Sequence, residues 1–563
     1  MKRMTWWLGA LVAFALVAAA CGESDDTTTT AAEATTTTTA EVTTTAAPDP
    51  GFEGASLVAE SCDYGGKVSS ITATDEFTVV FDLCSPDPAF LAKAAFVVFG
   101  IQPAEHLAAT GGAPLRNPIG TGPYALVEWV AGDSVVYARN DDYYGRQAPH
   151  ETAVLRWATE GAQRLLELQS GNVDGITFPS TDDYQVINDD PNTALIDKPE
   201  PNILYVAMTN TFEPFDNPDV RKAMAMGIDR QRLTDTFYPE GSEVATHFTP
   251  CSVTNGCEGD DWYDYDPIAA KQLLADAGFG SGFSTTIFYR DVFRGYLPEP
   301  GAVAVDLAAQ LKENLNIDAA VVVMESGAFI EESQAGNLDG IYLLGWTGDY
   351  PHITNFLDFH FTENNPQFGV QDPSYYEPLL TASSATDAIA AAPLYAEANN
   401  ALKEFVPMVP IVHSTTAFAY GSNVEGAYAP PWGQVLFNFM DNGENIFVFM
   451  QGNEPISLYC SDESDGESLR GCAQVVEALY SYDQTGAVQP QLATNCVSNE
   501  SLTSFTCELR QGVVFHDGSS FDANDVVASW TAGLDAASPI HTGNTGAWTY
   551  YDYLWDGLIN AEG

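Results

Sequence analysis

Positive charge is what this chain has least of. Its 563 residues include 21 Lys and Arg against 77 Asp and Glu, a formal net charge of −56. That excludes nucleic acid as a partner, because phosphate backbones are held by basic surfaces. It also excludes a polybasic patch docked on anionic lipid. The surplus acids read as a solvated surface that aids solubility. Histidine is scarce too, with eight in all and no cluster, which argues against nickel or haem ligation. No CxxC pair occurs, so no metal site is expected, and no cofactor is implied. The loop Asn117-Pro-Ile-Gly-Thr-Gly-Pro-Tyr124 lacks both the GxxxxGK spacing and the lysine of a phosphate loop. No nucleophile signature accompanies His516, which reads as a turn residue. A glycosidase would need Asp349 and a second acid in matching context. None stands out, and the chain reads as a binding protein rather than an enzyme.

Long apolar runs are also missing, apart from residues 6–20. That run follows Lys2 and Arg3 and is too short to cross a bilayer comfortably, so residues 1–20 read as a signal peptide. It ends in Val17-Ala-Ala-Ala-Cys21-Gly22, which resembles a bacterial lipobox, although Ala18 stands where that pattern prefers Leu. Cys21 is then the lipidated residue, and residues 21–50, rich in Thr and Ala, form a tether unable to build a core. An exported protein anchored by lipid alone to the outer face of a bacterial membrane is expected. Cys62, Cys84, Cys251, Cys257, Cys460, Cys472, Cys496 and Cys507 remain, an even number suited to disulfides in an oxidising compartment. Sequence neighbours suggest the pairs 62–84, 251–257, 460–472 and 496–507. The last has most support, because residues 501–509 alternate like a strand and residues 495–500 read as the turn side of a hairpin.

The length calls for two or three lobes, and 45% hydrophobic residues supply their cores. Residues 70–83 alternate as one strand. Strands follow at 125–129, 133–140, 153–158, 203–210, 284–289, 319–324 and 409–412, with helices at 161–170, 301–315 and 385–405. Asn217-Pro218 and Asp266-Pro267 are helix starts, each an N-cap followed by proline at the first helical position. The alternation predicts an α/β lobe with parallel pairing. From residue 445 the chain begins again with a strand-like run, the cysteine hairpin and a helix start at Asp522-Ala-Asn-Asp525.

One stretch gathers the chemistry. An apolar run at 341–344 ends in Gly345-Trp346-Thr347-Gly348-Asp349-Tyr350. Glycines admit close backbone approach, tryptophan makes a flat apolar wall, and a lone carboxylate suits a ligand ammonium. The bland alternative is a strand end at which Asp349 caps its own turn.

Four separated segments together resemble the extracellular solute-binding proteins of ABC importers, family 5, the peptide-binding group. They are residues 117–124, residues 215–230, residues 345–357, and residues 509–527 with their Arg-x-Gly-Val-x-Phe-His-Asp-Gly pattern. Met226-Gly227 departs from that family's small residues, and His352 falls where it often has Asp. The resemblance implies a two-lobed, periplasmic-binding-protein-like α/β fold (type II, cluster C) with an extra subdomain and a ligand cleft between lobes. It implies Asp349 as the acceptor of a peptide α-amino group, Trp346 as a wall, and Thr347, Gly348 and Tyr350 nearby. Glu454 and Ser457 would approach from the other side, and Arg290 and Arg294 are candidates for the ligand carboxylate. Partners would be a short peptide and the transmembrane subunits of an ABC permease, with the protein itself a monomer. An oligosaccharide ligand and a sensor without transport are the alternatives. The order of segments departs from that family as a circular permutation would, with a misassembled gene or a truncated tandem as the competing explanation. Residues 51–202 form the second part of lobe 1, 203–415 lobe 2, 416–444 the return and permutation linker, and 445–563 the first part of lobe 1 with its extra subdomain. Residues 56–68 should then lie beside residues 558–563, with 435–445 bridging the former ends.

Overall fold

The computed structural model describes residues 51–199, 201–363 and 365–561. Residues 1–20 and 21–50, read above as signal peptide and tether with Cys21 lipidated, lie outside the described residues. Among these residues the longer strands gather into three sheets, of five, six and seven strands.

The five-stranded sheet is antiparallel throughout and draws on both ends of the chain. Ser56–Val58, Val68–Asp75 and Thr78–Leu83 are followed across the sheet by Ser504–Leu509 and Ala493–Ser498. Residues 70–83 are thus a hairpin and not one strand. The Asp75 carboxylate accepts from the Phe77 N–H at 3.0 Å, a local bond that turns the backbone where alternation alone shows no break. The cysteine hairpin also differs in detail: its first strand runs on to Ser498, and the Asn499 side chain closes the turn by accepting from Thr503 N at 2.9 Å.

The seven-stranded sheet places Ile446–Gln451 between Thr152–Trp157 and Gly175–Thr177, parallel to both. The six-stranded sheet runs Glu243–Val244, Met408–His413, Asn202–Met208, Ile341–Thr347, Ser284–Arg290, Asp318–Met324. Its pairing is mixed rather than parallel. Ser284–Arg290 is parallel to both neighbours, whereas Asn202–Met208 is antiparallel to both of its own. Helix starts follow their caps. Asn217 accepts from Asp219 N at 2.9 Å, Asp266 from Ile268 N and Ala269 N, and Asp522 and Asp525 form a reciprocal capping box.

The apolar interior divides the same way. One cluster surrounds the six-stranded sheet and is built from residues between Ile203 and Val412, joined by Trp432. A second combines residues 57–155 with residues 418–559. The two ends of the body meet within it: Lys67 N–H donates to Trp555 O at 2.7 Å, and the Lys67 ammonium stands 3.2 Å from Asp556. All four cysteine pairs suggested by sequence adjacency are bonded. His247 lies close to Cys251 and Cys257, but sulfurs joined in a disulfide are no thiolate donors for a metal.

Candidate functional site

The strand Ile341–Thr347 is buried for its first five residues and lies between Asn202–Met208 and Ser284–Arg290. Its glycine is required by space: a Cβ at Gly345 would collide with Ile203 O and the Tyr296 ring. Past the strand, a Cβ at Gly348 would come within 2.6 Å of the Trp432 ring and 2.9 Å of Phe356. Asn355 fixes the loop that follows. Its side-chain oxygen accepts from Trp346 Nε1 at 3.1 Å and from Asp349 N at 2.9 Å, and its amide donates to Asp349 Oδ2 at 3.3 Å. Asp349 therefore does not cap its own turn. Asn355 holds its N–H and one carboxylate oxygen, and the other oxygen, Oδ1, faces across the molecule.

Across from it stands Tyr550, on the helix Thr549–Leu554, whose hydroxyl donates to Asp349 Oδ1 at 3.0 Å. One turn along, Tyr553 meets Trp346 edge-on at 6.0 Å and Phe359 at 4.8 Å, and Phe359 is stacked on Trp346 at 4.6 Å. The acid thus sits at the rim of an aromatic wall built from both apolar clusters. Among the described residues no lysine or arginine is paired with it. Asp349 is only half-buried at its surface, yet lost hydration pushes its carboxyl up to about 6, against the two hydrogen bonds that lower it. A carboxylate held without a cation in such surroundings favours any ligand that brings one.

Tyr350 leaves its own sheet altogether. It is 3% exposed, belongs to the cluster around the five- and seven-stranded sheets, and lies under the Lys93 ammonium at 5.7 Å. Its hydroxyl shares a hydrogen bond with Thr354 at 3.1 Å. His352, where an acid was expected from the resemblance, caps the short turn Ile353–Asn355 through Nδ1, and burial pushes it down to about 4. Thr347 is half-buried and pairs with Asn202 across the strands. Tyr482 donates to Ala92 O at 2.7 Å and packs against both clusters. Beside it, Trp432, Gln434, Glu477, Tyr480 and Gln491 line a cavity of about 60 Å³, room for a few waters or one small side chain.

Glu454 and Ser457 are not brought to Asp349. Glu454 accepts from Trp129 Nε1 at 2.9 Å and from Gly132 N. Ser457 is buried and donates to Glu463. Arg290 reaches Ser326 at 3.2 Å and the Tyr296 hydroxyl at 3.5 Å, one ring away from Gly345. Arg294 is exposed and bonds its neighbour's carbonyl. His516 ties its turn to the 117–124 loop, with Nε2 3.0 Å from Gly122 O.

Tyr550, Tyr553, Asn355 and Phe359 were not singled out from sequence. Residues 548–555, Trp-Thr-Tyr-Tyr-Asp-Tyr-Leu-Trp, do carry a signal in their five aromatics. Trp548, Tyr551 and Trp555 are fully buried, whereas Tyr550 and Tyr553, three apart on one helix face, look the other way. Asp462 sets the approach to this helix. Its carboxylate accepts from the backbone N–H groups of Asn544, Thr545, Gly546 and Trp548 at 2.6–2.8 Å and from the Thr545 hydroxyl at 2.8 Å.

Comparison with known proteins agrees on one family. The model described as bacterial extracellular solute-binding proteins, family 5 Middle, matches residues 24–368 and, separately, 487–550. Heme-binding protein A of Haemophilus influenzae is 27% identical over 66% of this chain and 69% of its own length. A dipeptide-binding protein of Pseudomonas aeruginosa is 28% identical over 66% of this chain and 71% of its own. Among solved structures, HbpA2 from Haemophilus parasuis superposes with a TM-score of 0.60 at 26% identity, covering 67% of this chain and 75% of that one.

Proposed function

The chain belongs to the bacterial extracellular solute-binding proteins, family 5, and from that premise we propose that it captures short peptides by closure of two lobes and delivers them to an ABC permease. The observation that carries the reading is Asp349, an acid with no cation partner among the described residues, facing an aromatic wall to which both apolar clusters contribute. A free peptide amino group supplies what that carboxylate lacks. The dipeptide-binding relatives support the same ligand class. Haem, named for another relative, fits less well, since His360 is buried against Phe356 O at 2.8 Å and His352 caps a turn. Arg290 is the candidate for the peptide carboxylate. The protein is a monomer that binds without catalysis, exported and held at the membrane through Cys21. Among the described residues no helix is long and apolar enough to cross a membrane.

The segment order is a circular permutation of the family's. What supports it is the pairing of Thr78–Leu83 with Ser504–Leu509, the insertion of Ile446–Gln451 between two strands from the first half, and the two separately matched stretches.

Thermal melting of the purified protein with free tripeptides, their N-acetylated forms and oligosaccharides tests the ligand class, because a ligand of the folded state raises the melting point. Stabilisation by free peptides alone is expected. Stabilisation by sugars, or equally by acetylated peptides, would overturn the reading.

A further inference from the structure

The cavity beside Tyr482 has no role in the site as described, yet two short chains of contact lead from it to Asp349. Trp432 closes one side of the cavity. The far edge of the same indole stands 2.6 Å from where a Cβ on Gly348 would be, one residue before the acid. Ala95 and Val97 line another side. Phe96, between them in sequence, meets Tyr550 edge-on at 4.8 Å, and the Tyr550 hydroxyl reaches Asp349 at 3.0 Å. Tyr482 forms a third side and packs against both apolar clusters. The cavity therefore lies at the junction of the two clusters, close to the acid.

Its polar groups are already engaged. Glu477 is 6% exposed and accepts from the Thr121 and Tyr143 hydroxyls, each at 2.7 Å, and from the Gln491 amide. Ser481 donates to Gln491 Oε1 at 3.0 Å, and Tyr482 to Ala92 O at 2.7 Å. What else faces the space is largely carbon, from Ala95, Val97, Leu436, Val476 and Ala478. A charged or strongly polar guest would lose its water here and find these acceptors taken. An apolar guest gains burial without that cost. Size narrows the choice further. A dry cavity of about 150 Å³ admits benzene. With about 60 Å³, this one has room for an isopropyl or isobutyl group and none for a phenyl ring.

We propose that this cavity receives the first side chain of a bound peptide, and that the preferred ligands begin with valine or leucine. The ammonium and the side chain of a first residue leave the same carbon. An amine held at Asp349 thus brings its side chain within reach of the space behind Trp432. This rests on the peptide reading above.

Calorimetric titration of the full chain with Gly-Ala-Ala, Val-Ala-Ala, Leu-Ala-Ala, Phe-Ala-Ala and Lys-Ala-Ala reads the pocket directly. Valine or leucine should bind at least about tenfold more tightly than glycine, and phenylalanine and lysine should gain nothing over glycine. Ala478→Leu fills the space and should bring the leucine-to-glycine ratio near one. Leu436→Ala enlarges it and should raise the affinity for Phe-Ala-Ala relative to Leu-Ala-Ala, so the pocket is tested even where the filled variant does not fold. Circular dichroism and melting report the fold of each variant. Equal binding across the series, still weakened by Asp349→Asn, would overturn the pocket and keep the peptide reading. A preference for lysine or phenylalanine in the unaltered chain, or a leucine preference unchanged by both variants, would also overturn it. Binding of no peptide at all would overturn both.

Discussion

Replacing Asp349 by asparagine should move stability and binding in opposite directions. The carboxyl titrates near 6 instead of 3.8, and an upward shift of about two pKa units corresponds to about 3 kcal/mol. The groups around it, Asn355, Tyr550, Tyr553 and Tyr482, stay neutral across that range. Because the folded-state value lies above the unfolded one, the penalty is absent below about pH 4, grows through about pH 6 and is complete above it. Asparagine keeps the shape and can still accept from Tyr550. The ligand-free variant should therefore gain up to about 3 kcal/mol at pH 7 and lose this part of the wild-type decline between about pH 4 and 6. Binding should suffer. An ammonium left opposite a neutral amide costs about 2–5 kcal/mol, which is roughly 30- to 4,000-fold in affinity. Melting curves across that pH range, with and without trialanine, read both effects in one experiment. A higher melting point without peptide and a lost peptide-induced shift are expected. Undiminished peptide affinity, or a variant less stable than wild type at pH 7, would refute the reasoning.

Affinity for trialanine should rise as Asp349 ionises through about pH 6 and fall again above about pH 8 as the peptide amine deprotonates; a flat calorimetric profile from pH 5 to 9 would contradict the ion pair. Asp462→Ala should cost about 3 kcal/mol or more in urea unfolding, since it strands several donors in the 544–548 loop, and it should weaken peptide binding because Tyr550 is no longer positioned. Gly348→Ala sets a methyl group 2.6 Å from Trp432; an overpacking cost of about 1–3 kcal/mol and loss of peptide affinity should appear together, and unchanged affinity would place Gly348 away from the closing surface.

Local chemistry was legible in the sequence, and long-range assembly was not. Asn217-Pro218, Asp266-Pro267 and Asp522 with Asp525 announce helix starts because a cap is a bond between near neighbours. Cys460–Cys472 and Cys496–Cys507 are likewise close in sequence. Gly345 to Tyr350 gathers glycine, tryptophan and acid in one stretch, and Asn355 holds that tryptophan and that acid to each other in the fold. Tyr550 reaches Asp349 from 201 residues away, and no spacing rule spans that distance. Mixed pairing in the six-stranded sheet was missed for a related reason. Helix–strand alternation suggests parallel neighbours, but Asn202–Met208 comes directly off the other sheet system and enters antiparallel. An acid in a loop has no period to orient it, and the partners of Glu454, a tryptophan and a backbone N–H, were not legible in its surroundings in sequence.

Tyr350 bears on how fast a ligand can enter. Its loop begins at the strand Ile341–Thr347, yet its ring is buried in the opposite core. Parting the two bodies along this face would strip it out like a tenon from its mortise. A ring of that kind hides about 150–250 Å², at most about 4–6 kcal/mol of apolar burial at the usual coefficient. Open molecules would then be a small minority at rest, and the apparent on-rate for a ligand would scale with that minority. A smaller residue at 350 would shorten the wait at the door and also the stay behind it, so the protein's usefulness as a collector is set by a dwell time as much as by an equilibrium constant.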